Sequence, residues 1–410
     1  MSSPLDDMAV TVDRPNGLAM LRRWRDRPVI KVVTGVRRCG KSTLLDLFRT
    51  ELIAGGVPEA NTAKLSLEDV DNAELAADHR LLHQWVVSRL AESGTTYVFL
   101  DEIQLVDGFE KAVNSLLLRS NVDLYLTGSN ASLLSGELAT LLAGRYVELP
   151  LLPLSFAEFV DGRRHAPDSS ITALYAEYVR FGEFPFVVNL LPDSAAVRDY
   201  LQGLLNTVLL KDVVARKGVS NVAALEDVIR FLMHNIGALT SLRRVSAGLD
   251  ASGRRPSATT VDSYLDALTK AYLFYPVRRW DLKGLRFLAG PEKYYSVDPG
   301  LRAALLGFSG GDTGHVLENV VFLELLRRSL SVRTGAAGGE IYFVVGEGAE
   351  TAYYQVAETV RDPSTLQREL APLADLRDHH PKYLLTLDQA PPVSHNGITQ
   401  LFCLDWLLGQ

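Results

Sequence analysis

A lysine and a serine follow a glycine turn near the N-terminus, in Gly35-Val36-Arg37-Arg38-Cys39-Gly40-Lys41-Ser42. The stretch meets every fixed position of the phosphate-binding pattern G-x-x-x-x-G-K-[ST]. Glycines let backbone N–H groups turn towards phosphate oxygens, and the helix N-terminus that follows adds a favourable dipole. In this chemistry Lys41 would contact the β- and γ-phosphates of ATP, and the Ser42 hydroxyl would bind Mg²⁺. We expect residues 35–42 and the adjacent Thr43 to contact the nucleotide.

Two carboxylates end an apolar run further along, Tyr97-Val98-Phe99-Leu100-Asp101-Glu102. Asp101 at the end of a buried parallel strand suits a Mg²⁺ ligand, and Glu102 suits a base that activates water. A third apolar run begins at Val122 and ends in Gly128-Ser129-Asn130. Ser129 or Asn130 would contact the γ-phosphate at the same edge of an open sheet, although a local turn explains either residue equally well.

The flanking sequence places this chemistry in an α/β fold. Residues 29–34 form an apolar strand-like run, and residues 42–48 have the spacing of a helix. A strand that leads through a glycine loop into a helix is the setting that the phosphate-binding pattern requires. We therefore predict a parallel sheet with a nucleotide site at its carboxyl edge.

The order of four motifs resembles the prokaryotic AAA-superfamily ATPases that carry a C-terminal uncharacterised domain. The motifs are the phosphate loop, "FLDEIQ", "LTGSNASLL" and "LAGRYVELPLLPLSFAEF". The resemblance spans essentially the whole chain. One departure is Phe181-Gly182-Glu183-Phe184-Pro185, which has one glycine where family members usually have two. The resemblance implies an AAA-type ATPase core in residues 1–160, a helical lid and winged-helix region in 161–295, and a small restriction-endonuclease-like α/β domain in 296–410.

Three arginines are candidates for contact with the nucleotide. Arg145 follows Gly144 and could neutralise charge on the transferred phosphoryl group, in its own chain or across a subunit boundary. A solvated or ion-paired surface arginine explains it equally well. Arg37 and Arg38 lie inside the loop and could contact phosphate, a partner subunit or solvent. Cys39 lies beside them near a helix N-terminus, which favours a thiolate, so we expect alkylation to block nucleotide binding, unless Cys39 is an inert filler.

Residues 241–290 are basic in an acidic chain. They carry nine lysines and arginines against four aspartates, while the net charge of the whole chain is −7. Helical spacing around 242–249 and from about 257, followed by strand-like runs at 273–280 and 285–288, predicts a winged helix-turn-helix. Such a unit can place its second helix in the major groove of double-stranded DNA. The alternative is a winged helix that serves packing or protein contact alone.

The C-terminal segment has the predicted order helix, three strands, helix, strand, which resembles the restriction-endonuclease-like core of family members. In active relatives of the restriction-endonuclease-like fold, carboxylates and a lysine bind the metal; the matching positions here are Glu318, Tyr342, Gln355 and Ala357. One carboxylate cannot hold Mg²⁺ for phosphodiester cleavage. We expect a retained fold, no nuclease activity, and a role in binding a protein partner.

Bulk composition limits the remaining possibilities. No apolar run approaches the roughly 20 residues that span a bilayer, and two cysteines are typical of a reducing compartment. We expect a cytoplasmic protein that does not contact a membrane. The resemblance implies that the protein could form a homo-oligomer, although no residue establishes this. The favoured function is Mg²⁺-dependent ATP hydrolysis coupled to a conformational change in a DNA- or protein-binding module. The alternative is a nucleotide-regulated scaffold with negligible turnover that recruits a protein partner.

Overall fold

Five parallel strands form the sheet of the N-terminal part of the protein. A computed structural model describes residues 10–129, 142, 144–164, 170–214, 219, 221–249, 256–307, 313–329, 331–336 and 339–409. Parallel pairing gives the strand order β2–β3–β4–β1–β5. The strands are β1 (Ile30–Thr34), β2 (Thr62–Ser66), β3 (Thr96–Asp101), β4 (Val122–Gly128) and β5 (Tyr146–Pro150).

Helices pack against this sheet, and its inner strands are largely apolar. Every residue of β1 and β3 is buried, as expected for parallel strands without a solvated face. On one face Phe48 packs against Phe99 and Tyr125, with ring centroids 6.4 and 5.3 Å apart. The helices are α1 (Pro15–Trp24), α2 (Lys41–Ala54), α3 (Ala73–Ala77), α4 (His79–Val87) and α5 (Phe109–Leu117).

The chain forms two compact units. The first contains Thr11–Pro153 together with the short segment Lys270–Tyr272, and the second contains Leu154–Thr269 and Leu273–Gln410, in both cases for the described residues. The second unit begins with a helical layer, which the apolar periodicity of this region predicts. Its helices are α6 (Phe156–Gly162), α7 (Ile171–Phe181), α8 (Val187–Leu190), α9 (Ser194–Thr207), a π-helix (Val208–Val214) and α10 (Val222–His234).

A three-stranded sheet follows α10, in the order β6–β10–β7. Between β6 and β7 the chain forms two helices, as the sequence predicts. The second strand-like run forms a hairpin with the end of the first, as β8 and β9, whereas the beginning of the first run, β7, pairs antiparallel with β10. The elements are β6 (Leu239–Thr240), α11 (Leu242–Gly248), α12 (Ala258–Lys270), β7 (Phe274–Val277), β8 (Arg279–Asp281), β9 (Arg286–Phe287) and β10 (Glu292–Ser296).

The β8–β9 hairpin belongs to a larger, eight-stranded sheet of order β15–β16–β14–β13–β12–β11–β8–β9. Trp280 pairs with Phe287 in the hairpin, and β8 runs parallel to β11. No described helix has the length and apolar content to cross a membrane. The remaining elements are α13 (Pro299–Leu306), α14 (Thr313–Arg328), β11 (Val332–Ala336), β12 (Glu340–Val345), β13 (Ala352–Ala357), α15 (Pro363–Ala374), β14 (Lys382–Thr386), β15 (Val393–His395), β16 (Ile398–Phe402) and α16 (Cys403–Leu407).

Candidate active site

Two glycines give the loop between β1 and α2 its shape. Gly35 has φ +150°, and a Cβ atom there would lie 2.2 Å from the carbonyl oxygen of Leu151. Gly40 has φ +98° and is the N-cap of α2. Both positions require glycine, because one has no room for a side chain and the other has a left-handed backbone that favours glycine. The pattern residues therefore form the compact turn that a phosphate loop needs.

The Lys41 ammonium lies inside this turn. Its Nζ donates to the carbonyl oxygens of Gly35 at 3.0 Å and Val36 at 3.1 Å, and the side chain is buried. A buried ammonium needs several oxygen acceptors. Phosphate oxygens would be stronger acceptors than neutral carbonyl groups because they are charged. The arrangement thus suits exchange of loop carbonyls for a polyphosphate.

Ser42 and Asp101 lie together at the carboxyl edge of the sheet. The Ser42 hydroxyl donates to Asp101 Oδ2 at 2.7 Å, and the Thr127 hydroxyl donates to Asp101 Oδ1. Thr127 in turn accepts a hydrogen bond from the Glu102 amide at 2.9 Å. A hydroxyl and a carboxylate are hard oxygen donors of the kind that Mg²⁺ prefers. These residues therefore fit the predicted metal site.

Glu102 is buried and restrained by two side chains. Its backbone is left-handed, with φ +54°. The Ser129 hydroxyl donates to Glu102 Oε2 at 3.1 Å, and the Gln104 amide donates to the same oxygen. Gln104 Oε1 is buried and has no hydrogen-bond partner among the described residues. Ser129 thus lies beside the candidate base, whereas Asn130, the other candidate γ-phosphate contact, is outside the described residues.

The remaining loop residues differ in their exposure. Val36 is fully buried, Arg38 and Thr43 are exposed, and Arg37 forms an ion pair with Glu68 at 2.8 Å. Cys39 is fully buried. Burial favours the alternative of an inert filler at Cys39, because a reagent cannot reach a buried sulfur in the folded state. Whether alkylation blocks nucleotide binding stays a prediction.

Arg145 lies at the wrong end of the sheet to contact nucleotide bound by its own chain. Its carbonyl oxygen accepts the Ile30 amide at 2.9 Å, and the parallel register then pairs Ile30 with Tyr146. The phosphate loop begins after Thr34, at the opposite end of β1. At about 3.3 Å per residue the separation is about 16 Å, more than an arginine side chain spans. The prediction that Arg145 contacts nucleotide bound by its own subunit is therefore wrong. Contact with nucleotide across a subunit boundary stays a prediction.

Sequence reasoning missed three supporting residues. Gln104 and Thr127 each lie within three residues of a predicted site residue, so their proximity along the chain is a usable signal. Arg14 has no such signal, since it lies 25 residues before Cys39. Its guanidinium is buried and donates to the carbonyl oxygens of Cys39 at 3.0 Å and Leu152 at 2.7 Å. Arg14 thereby fixes the back of the phosphate loop.

The predicted remnant of a nuclease site holds an ion pair. Glu318 Oε1 accepts from Lys293 Nζ at 2.9 Å and from the Tyr295 hydroxyl at 2.6 Å. The Gln355 side chain accepts the Tyr342 amide at 2.8 Å. The described part of the chain has no group of three or more His, Cys, Asp or Glu side chains arranged to hold a metal ion. Lys293 also lies 3.1 Å from Glu340, so it pairs with two carboxylates.

The basic residues of the 241–290 segment do not lie on one helix. The exposed side of α12 carries Asp262 and Asp266 together with small residues, whereas Arg244 on α11 donates to the Leu239 carbonyl at 2.7 Å. Arg254 and Arg255 lie outside the described residues. Among the described cations that are exposed, Arg243 and Arg244 lie on α11, whereas Arg278, Lys283 and Arg286 lie on or beside the β8–β9 hairpin.

The strand order, the phosphate loop and the carboxylates after β3 define a P-loop domain of the AAA type. Residues 27–160 match a family model described as an AAA domain, and residues 172–312 match a domain of unknown function. A solved Walker-type ATPase of Pyrococcus abyssi has the same fold, with a TM-score of 0.53 and 16% identity. That similarity covers 72% of this chain and 96% of the other. The predicted fold class, an AAA-type P-loop domain followed by a mixed α/β region, is confirmed.

The chain belongs to the same family as an uncharacterised protein of Haemophilus influenzae. The two are 37% identical over 400 residues, which are 97% of this chain and 98% of the relative. An uncharacterised protein of Methanocaldococcus jannaschii is 29% identical over 312 residues, 73% of this chain and 67% of that one. The restriction-endonuclease-like domain stays a prediction.

Proposed function

We propose that the protein hydrolyses ATP in a Mg²⁺-dependent reaction and that hydrolysis drives a conformational change in a DNA- or protein-binding module. The observation that carries the proposal is the hydrogen bond between Ser42 and Asp101, with Glu102 directly following. It brings the two candidate metal ligands together at one edge of the sheet. Lys41, the third element of the site, lies in the adjacent turn.

Each side chain has a separate task in this proposal. Bound Mg²⁺ would neutralise charge on the phosphate oxygens, and Ser42 and Asp101 are the residues that would hold it. The Lys41 ammonium would leave the carbonyl groups of Gly35 and Val36 and bind phosphate oxygens. The Glu102 carboxylate would accept a proton from the attacking water. Arg14 would keep the loop in place, because it is anchored to Leu152 as well as to Cys39.

A nucleotide switch with negligible turnover is the second candidate. It is favoured by the two hydrogen bonds that Gln104 and Ser129 donate to one oxygen of Glu102. Both bonds are to the charged carboxylate, so they weaken when Glu102 accepts a proton from water, and this opposes the reaction. If nothing releases Glu102, the protein would bind ATP and hydrolyse it very slowly.

The order of elements from α10 to β10 supports a winged-helix module. A winged helix has the order helix, short strand, two helices and two strands. Here β6 and β7 flank β10 in the three-stranded sheet. The acidic exposed side of α12 disfavours insertion of this helix into DNA, because Asp262 and Asp266 would approach phosphates. Nucleic acid would then contact the hairpin side of the module, and a protein partner would contact the C-terminal sheet.

The proposal is tested by steady-state ATP turnover in Mg²⁺ and in EDTA, with and without DNA. Asp101→Asn keeps the shape but removes the charge, so we expect the Mg²⁺-dependent part of ATP affinity to fall by at least about tenfold. Affinity in EDTA should stay within about threefold. Asp107→Asn is the matched control, since Asp107 is exposed on the following turn. Turnover in EDTA equal to that in Mg²⁺ would refute the proposal.

A further inference from the structure

A cavity of about 680 Å³ lies on the eight-stranded sheet, beside the β8–β9 hairpin. Hairpin residues form one wall, and β11, β12 and the turn at 347–351 form the others. We call it the hairpin cavity. All of its lining residues belong to the second unit, so the cavity is separate from the phosphate loop. Its volume is in the range of small-molecule sites.

Exposed aromatic and apolar side chains form the rim on the hairpin side. Trp280 and Phe287 pack edge to face with ring centroids 4.8 Å apart, and Phe287 is 43% exposed. Leu285 is 71% exposed in a left-handed backbone, with φ +48°. A β-hairpin tip can be built from polar residues at no cost to the fold. Apolar side chains left in solvent here indicate a surface that binds something flat and apolar.

Arginines lie against both rings. The Arg278 guanidinium is 4.2 Å from the Phe287 ring centroid, and that of Arg333 is 4.7 Å from the Trp280 centroid. Arg333 Nε is buried and has no hydrogen-bond partner among the described residues. An arginine on an aromatic face leaves a second flat surface on which another ring can stack.

The hairpin is strongly cationic. Residues 278–287 contain four lysines and arginines and one aspartate. The nearest carboxylates hold these cations weakly: Arg278 is 3.9 Å from Glu292, and Arg286 is 3.9 Å from Asp281 while 76% exposed. Long, exposed ion pairs of this kind contribute little. Among the described lining residues, Glu347 is the one with a carboxylate.

We propose that the hairpin cavity binds single-stranded nucleic acid, with an unpaired base stacked on Phe287 and the arginines, and phosphates on Arg278 and Arg286. Aromatic and guanidinium faces together with loosely paired cations are the features that recognise an unstacked base on a charged backbone. A duplex would not fit this chemistry, because its bases already stack on each other. The inference names the ligand of the proposed DNA-binding module and rests on that half of the proposed function alone, independent of ATP turnover.

The test is fluorescence anisotropy of the full chain with a labelled oligothymidylate of about 15 nucleotides at low salt. Phe287→Ala should weaken binding by about 5- to 150-fold, the loss of one base–aromatic stack. Phe287→Tyr should restore it, because the ring is kept. Arg89→Ala is the matched control for Arg286→Ala, since Arg89 is also an exposed arginine but lies in the first unit. Arg286→Ala should lower the salt slope by about 0.7.

Four results would overturn the inference. The protein could fail to bind the oligonucleotide at low salt, or Phe287→Ala could bind it as tightly as the parent. Phe287→Tyr could fail to recover the affinity, or a double-stranded oligonucleotide could bind as tightly as the single strand. Circular dichroism of each variant shows whether it is folded. ATP turnover without DNA, measured on the same preparations, should match the parent. A parent protein that hydrolyses ATP but does not bind the oligonucleotide refutes this inference alone, and one that binds the oligonucleotide but does not hydrolyse ATP refutes the ATPase assignment alone.

Discussion

Gln104→Ala should raise basal ATP turnover. In the structure the Gln104 amide and the Ser129 hydroxyl both donate to Oε2 of Glu102. A hydrogen bond to a charged group contributes about 1.5–3 kcal/mol net. These bonds weaken when Glu102 accepts a proton from water, because the carboxylate loses its negative charge, and that loss is a cost of the reaction.

The magnitude follows from removing one of the two donors. If about 1–2 kcal/mol of that cost is part of the barrier, its removal accelerates hydrolysis by about 5- to 30-fold. The gain should vanish when Glu102→Gln is added, because the effect acts through the base. ATP affinity should stay within about threefold, since Gln104 contacts none of the phosphate-loop residues in the hydrogen bonds described.

The assay is single-turnover hydrolysis of bound ATP, which separates chemistry from product release. Gln84→Ala is the control, since Gln84 is an exposed glutamine on α4. Turnover in Gln104→Ala that equals or falls below the parent rate, at unchanged ATP affinity, would refute the reasoning. It would mean that Gln104 orients Glu102 for catalysis rather than restraining it.

Three further predictions address the loop and the second unit. Gly35→Ala should lower the free energy of unfolding by at least about 3 kcal/mol and abolish ATP binding, because its Cβ would meet the Leu151 carbonyl. Chemical unfolding measures this loss, and Gly56→Ala is the control. Gly56 has φ +95° and open space around it, so its replacement should lower the free energy of unfolding by only about 1 kcal/mol. Burial raises the pKa of Glu183 to about 8, although Arg327 opposes the shift. Because the folded pKa lies above the unfolded one, Glu183 stabilises the protein fully below about pH 4.5, and this contribution is lost as the pH rises through 8. The free energy of unfolding should therefore fall from pH 5 to pH 9 by at least about 1.4 kcal/mol. A Glu183→Gln variant whose stability falls equally with pH would contradict this. Maleimide should label Cys39 slowly in the native protein with or without Mg-ATP and rapidly after denaturation; fast native labelling would show that the loop opens.

The sequence predicted the elements whose signals are local. The strand before Gly35, the helix after it and the runs ending in Asp101 and Gly128 are short apolar segments with glycine or carboxylate boundaries, and the structure has them within one or two residues. β2 and β5 were missed because their burial is partial and irregular, so no clear apolar run marks them. The fold class and the phosphate loop could thus be predicted from short sequence patterns.

What depends on pairing between distant segments was not predictable from one sequence. Arg145 was a candidate because an arginine can neutralise charge on the transferred phosphoryl group, but its distance from the site is set by the register between β5 and β1. The charge of 241–290 was counted correctly, yet its distribution depends on which side of α12 faces the core. The β8–β9 hairpin joins a different sheet from β7, and only the fold shows that this gathers the cations around an aromatic cavity.

The most direct test of the central claim is single-turnover hydrolysis by Glu102→Gln, measured beside its affinity for ATP. Removing the carboxylate without changing its size should leave ATP affinity within about threefold. Hydrolysis should slow by about 10²- to 10⁴-fold, the scale of a lost general base. Lys41→Ala serves as the comparison and should lose tight ATP binding altogether. Hydrolysis by Glu102→Gln at the parent rate would contradict the assignment of Glu102 as the base of an ATPase.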